Sequence, residues 1–285
     1  MCGDSSGVTF SLLVAERNLR NERDAIEQLK GLIFDKYTVQ ARLRPGLLVV
    51  LPALITIALW LPSVWTFLGG ISALVSACGL TLLLAEIARF RGRQIERAMI
   101  AKNGGKFTTI FLRHEDSTIS SASKLIYHDV LRKQANRSIP TEEEERKDRS
   151  AADDRYRGAV EWLLEATRDQ KRFPLVMAEN ISYGFRRNLL GLKLAAIFSL
   201  IFCLCMDAWF TWQSLGKDAN KFRAGVATGT GLFILLLIWT FVVNMDFVED
   251  AGRSYALRLL AQCDVLRAKE SPARSRTKPK GDSNV

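Results

Sequence analysis

Residues with chemistry to offer stand in three groups. The chain has two histidines, His114 in Leu112-Arg113-His114-Glu115-Asp116 and His128 in Tyr127-His128-Asp129. An imidazole oriented by a carboxylate is the pairing of general acid–base chemistry. The context of a known catalytic motif is absent: there is no Gly-x-Ser-x-Gly turn, no phosphate-cradling glycine loop and no His-Glu-x-x-His pattern. Structural histidines in a polar module are the simpler expectation. No catalytic residue, cofactor or metal ligand is assigned, and a membrane-bound hydrolase using His114 and His128 is the enzymatic alternative.

The second group is basic and aromatic: Arg89, Arg91, Arg93 and Arg97, then Arg113 with His114, then Tyr183, Phe185, Arg186 and Arg187. Guanidinium forks match phosphate oxygens, and aromatic rings stack on bases. Headgroup anchoring or core packing explains each residue singly; their clustering on adjoining segments points to ligand binding. The third group lies in apolar surroundings. Ser199, Cys203 and Asp207 recur every four residues, as do Ser72 with Ser76 and Thr240 with Asn244. An acid inside a bilayer is a functional candidate, although Asp207 stands close enough to a tryptophan cluster to reach headgroups. Gly225 and Gly229, with Ala227 and Gly231, and also Gly69, Ala73 and Ala77, are small-residue pairs that allow close helix contact. This group is assigned to a pore or to helix packing.

The elements that must position these residues are dominated by four apolar runs, 46–61, 66–85, 192–212 and 224–243. A bilayer core takes roughly 20 apolar helical residues to cross, so the runs read as two transmembrane hairpins. Arginine and lysine crowd one side: Arg42, Arg44, Arg89, Arg91, Arg93, Arg97, Arg186, Arg187, Lys193, Arg253 and Arg258. The turn at 61–65 carries no charge, and Trp60, Trp65, Trp209 and Trp212 gather at the two turns. Basic loops stay in the cytoplasm and tryptophan favours the interface. Both signals put the termini and the middle region in the cytoplasm, as in a multi-pass protein of the bacterial inner membrane. The net charge of +10 largely restates that bias. Residues 1–44 show no signal-peptide pattern, and the five cysteines form no disulfide or metal spacing.

The expected organisation is an amphipathic cytoplasmic segment at 1–44, with a helix over 13–34, followed by hairpin 1 at 45–88. A cytoplasmic module at 89–188, hairpin 2 at 189–246, a cytoplasmic helix at 247–270 and a disordered basic tail at 271–285 complete it. The second span should continue past Met99 and stop at Asn103-Gly104-Gly105. Residues 106–112 read as a short strand. Helices are expected over 120–134, presenting Leu125, Ile126, Val130 and Leu131, and after a capping box at Thr141 and Glu144, presenting Tyr156, Val160, Leu163 and Leu164. A further helix over 178–190 should run directly into the third span. The fold class is therefore mainly α, a polytopic membrane protein with a mainly helical cytoplasmic module. Four spans this poor in polar groups make an unlikely pore alone, so a homo-oligomer is expected.

Thr108-Thr109, the run Leu112-Arg113-His114-Glu115-Asp116-Ser117-Thr118-Ile119, Tyr127-His128, Pro140-Thr141 and Asn180 to Gly191 resemble a family of four-span anti-phage defence effectors that includes the membrane effector of the Hailong system. These are bacterial four-span proteins found beside nucleotide-synthesising immune enzymes. The likeness covers roughly residues 30–265 and is strongest at Tyr183-Gly184-Phe185-Arg186-Arg187-Asn188-Leu189-Leu190-Gly191. The resemblance implies a homotetrameric channel whose cytoplasmic vestibule binds short single-stranded DNA made by a partner nucleotidyltransferase. Bound oligomer would hold the channel closed, and its loss during infection would release it. The competing expectation is a nonconducting scaffold that recruits a partner through the amphipathic segment and the acidic run 142–148.

Overall fold

The computed structural model describes residues 36–61 and 66–268, and every regular element among them is helical. The amphipathic helix expected over 13–34 and the tail at 271–285 lie outside the described residues. Four helices are long and apolar enough to cross a membrane. They are α1 (Arg44–Trp60), the first part of α2 (Phe67–Asn103), α8 (Lys193–Ser214) and α9 (Ala219–Leu237). Between and after them come α3 (Phe107–Ile110), α4 (Ser121–Gln134), α5 (Glu142–Lys147), α6 (Arg149–Ala166), α7 (Pro174–Gly191), α10 (Met245–Leu260) and α11 (Gln262–Ala268).

The chain divides into two compact units, cut at 92/93, 187/188 and 243/244. In the first, α1 packs on α8 and α9, and α8 on α9. A π-helical turn, Thr38–Leu43, leads into α1. Pro45, at the start of α1, has no N–H to offer the carbonyl four residues back. That carbonyl belongs to Ala41, fully buried, and it accepts instead from Asn188 Nδ2 at 2.7 Å. A second π turn, Ile238–Val242, closes the fourth span. There the ammonium of Lys193 donates to Thr240 O and Val243 O, both at 2.8 Å, so a lysine expected only to mark a membrane side also caps a helix end.

The second unit is built on α3, α4, α6, α10 and α11. Its core includes Phe111, Leu112, Leu131, Tyr156, Leu163, Val248, Leu259 and Leu260. Here the strand expected at 106–112 is corrected. Gly104 and Gly105, at φ 70° and 150°, end α2, and the chain then makes the single helical turn of α3. That turn puts Phe107 and Phe111 on one face with rings 5.9 Å apart, both buried. Burial of the pair outweighs the strand preference of Thr108, Thr109 and Ile110. The face of α4 is also shifted: Leu125 is exposed, while Lys124, Tyr127, His128, Val130 and Leu131 are buried. Leu164 of α6 is exposed too, whereas Tyr156, Val160 and Leu163 are buried. The capping box at Thr141 and Glu144 is present, with both reciprocal hydrogen bonds.

α2 is uninterrupted across 37 residues, about 55 Å at 1.5 Å per residue, against a bilayer core of about 30 Å. α7 does not run straight into α8. Leu192 breaks the helix at φ −97°, ψ 2°, and its N–H bonds back to Asn188 O and Leu189 O.

Candidate functional site

The arginines of α2 are its open charges. Arg89, Arg91, Arg93 and Arg97 are all exposed. Arg89, Arg93 and Arg97 are four residues apart and so share a face. Arg89 stands 3.9 Å from Glu86; no ion pair forms at Arg91, Arg93 or Arg97 among the described residues.

The other expected ligand residues are engaged within the protein. In the second unit Arg187 reaches Glu96 at 2.5 Å and lies over the Tyr183 ring, which donates its hydroxyl to the same carboxylate at 3.3 Å. Burial, and then the Glu96 charge, push the Tyr183 phenol well above its ordinary pKa. Tyr183 also stacks parallel to Tyr255 at 6.3 Å. Gly252 makes room for this: a Cβ there would stand 3.2 Å from the Phe107 ring and 3.3 Å from that of Tyr183. A cavity of about 70 Å³ opens among Glu96, Lys106, Phe107, Tyr183 and Tyr255, room for only a few waters. Arg186 binds Asp250 at 2.7 Å and Phe247 O at 3.1 Å while lying over the Phe247 ring. Phe185 is half-buried.

Arg113 is 3% exposed and closes a fork on Asp153, Nε to Oδ1 at 2.9 Å and Nη2 to Oδ2 at 2.7 Å, with a further bond to Gly104 O. The Asp153 hydrogen bond raises its pKa further. Its guanidinium therefore ties α6 to the end of α2 and offers little to a ligand.

The two histidines do meet, rings edge to face at 4.9 Å. His128 stacks on Tyr156 and puts Nε2 2.8 Å from Leu112 O, which assigns the proton to Nε2. Burial pushes its pKa down to about 4, so the ring is neutral at pH 7. His114 Nε2 stands 3.0 Å from Pro140 O, and its backbone N–H donates to Glu145 at 3.0 Å. Tyr156 donates to the same Glu145 at 2.8 Å. Lys124, buried, donates to the carbonyls of Arg113 and Asp116, and burial lowers its pKa. The run from Arg113 to Asp116 is thus held from four directions, by Asp153, Glu145, Lys124 and Pro140.

In the first unit the polar series faces inward. Ser199 Oγ donates to Val49 O at 3.3 Å, Cys203 is buried, and Asp207 Oδ1 accepts from Trp60 Nε1 at 2.8 Å. Asp207, 3% exposed, does not reach out to headgroups, and Trp60 is half-buried rather than an interface marker alone. The small face of α9 packs against it: a Cβ on Gly229 would stand 2.7 Å from Asp207 Oδ2, and one on Gly225 2.1 Å from Thr211 Oγ1. Ser72 and Ser76 are exposed on α2. Thr240 and Asn244 do not share a helix face, because Asn244 has left the span as the N-cap of α10, accepting from Phe247 N at 2.9 Å. No cluster that would hold a metal ion occurs among the described residues.

Sequence reasoning missed Glu96, Lys124, Glu145, Asp153, Asn188 and Lys193 as organising residues. Glu145 lay in the acidic run 142–148, Asn188 in the run 180–191 and Lys193 among the basic residues that mark a membrane side, but none had an organising role assigned. For the others the signal is a partner distant in sequence, which spacing does not display. The chain matches no protein-family model, no curated protein and no solved structure.

Proposed function

We propose that this chain is a membrane effector of bacterial anti-phage defence, an ion-conducting homotetrameric channel gated by a cytoplasmic oligonucleotide. The ligand is single-stranded DNA made by a partner nucleotidyltransferase, and both termini lie in the cytoplasm with the second unit. The observation that carries this reading is α2: its apolar part and its open arginines belong to one unbroken helix. A polyanion that prefers one tilt or rotation of that helix shifts the equilibrium of the span by its differential affinity. The motif resemblance supplies the ligand class and the sense of gating, with the bound oligomer holding the channel shut.

Arg93 and Arg97 are the positions to test. Reversing Arg186 or Arg187 would break their pairs with Asp250 and Glu96 whatever the ligand. The double variant Arg93→Glu, Arg97→Glu is expected to bind short single-stranded DNA at least about tenfold more weakly at physiological salt. Its log–log salt slope should be shallower by roughly 1.4, two contacts at ~0.7 each. Unchanged affinity and slope would reject the assignment. In planar bilayers the purified protein is expected to conduct and to close on adding oligonucleotide. Silence under both conditions would favour the nonconducting scaffold.

A further inference from the structure

The first unit contains a groove that the channel reading does not use. It has a cavity volume of about 490 Å³ and is lined by Glu86, Ile87, Phe90 and Arg91 of α2 and by residues 191–195 where α7 gives way to α8. That size is in the range of built ligand sites. Its floor is closed by backbone contact: a Cβ on Gly191 would stand 3.1 Å from both Arg91 Cβ and Gly92 N. Its walls are apolar and open, with Ile87 41%, Phe90 56% and Leu194 59% exposed. Arg91 belongs to the lining and is exposed, with no ion pair among the described residues. Glu86, the one acid in the lining, lies 3.9 Å from Arg89. Of the two charged residues in the lining, Glu86 is drawn towards Arg89 outside it and Arg91 is left without an ion pair among the described residues.

An apolar trough that offers one arginine without an ion pair among the described residues matches the two-part chemistry of a phospholipid. The groove sits where the apolar run of α2 ends and its arginines begin, the level at which headgroups lie. We propose that it is a binding site for an anionic phospholipid, with the phosphodiester on Arg91 and an acyl chain along Ile87, Phe90 and Leu194. Free phosphate would satisfy the arginine but leave the trough uncovered. The assignment does not depend on the channel reading.

The test is native mass spectrometry of the full-length protein in detergent with added phosphatidylglycerol or phosphatidylcholine. Wild type is expected to retain one phosphatidylglycerol per chain. Arg91→Gln should lower that retention about fivefold, the factor expected for one interfacial base. Leu194→Trp, which fills the trough and leaves the arginine, should lower it as well. Phosphatidylcholine should be held several-fold more weakly, and excess inorganic phosphate should not displace the lipid. Equal retention in wild type and both variants, parity between the two lipids, or displacement by phosphate would each overturn the proposal. So would a Leu194→Cys variant that forms a disulfide link to a second copy not seen in wild type.

Discussion

Asn188 shows how one amide replaces an N–H that the chain has lost. Pro45 leaves the buried Ala41 carbonyl without its helical donor, and Asn188 Nδ2 supplies one at 2.7 Å. Asn188→Leu keeps the volume and removes the donor. An unsatisfied buried acceptor costs about 1–3 kcal/mol, to be read as a lowered midpoint in thermal unfolding of the detergent-solubilised protein, with Asn188→Gln as a comparison that retains an amide. His128 gives a pH dependence of definite sign. Its folded pKa, about 4, lies below the ordinary 6.5, so the unfolded chain binds the proton more readily. The contribution is complete above pH 6.5 and is lost as pH falls through 6.5 towards 4, on the order of 3 kcal/mol in all. His128→Gln is expected to flatten that part of the stability–pH curve. At this scale the sequence displayed the residue types but not their partners. Arg113 read as a phosphate ligand because nothing near it in sequence announces Asp153, forty positions on.

At the scale of elements, the spans, the stop of α2 at Asn103 and the capping box on α5 were legible, because composition and local spacing set them. The turn of α3 was not: Thr108, Thr109 and Ile110 prefer extended chain, and only burial of Phe107 and Phe111 on one face makes the helical turn the better arrangement. The glycines of α9 divide in the same way. Spacing treats Gly225, Gly229 and Gly231 alike, yet a Cβ at Gly225 meets Thr211 and Trp60 while one at Gly231 meets nothing within 4 Å. Gly225→Val is expected to destabilise by about 1–3 kcal/mol through overpacking. Gly231→Ala should be neutral or slightly stabilising, since alanine is the better helix former. Thermal unfolding of the two variants side by side checks this, and equal behaviour would remove the close contact of α9 with α8.

At the scale of the whole molecule, the proposed channel requires copies to share an axis, since the polar face of α8 is covered by α1 and α9 rather than lining a path of its own. Mass photometry of the purified protein is expected to give four chains; a monomer at working concentrations would remove the axial pore. By itself the sequence determined that four helices are apolar enough to cross a membrane, that charge lies between and after them, and roughly where each begins and ends. These follow from sums over neighbouring residues: apolar content, helical period, and the local chemistry of glycine, proline and caps. Only the tertiary structure decided which charges are free. Arg113, Arg186 and Arg187 are paired within the fold and Arg93 and Arg97 are exposed without an ion pair among the described residues, because pairing depends on distance in space, and an arginine looks the same in sequence whether or not a carboxylate forty or ninety residues away has reached it.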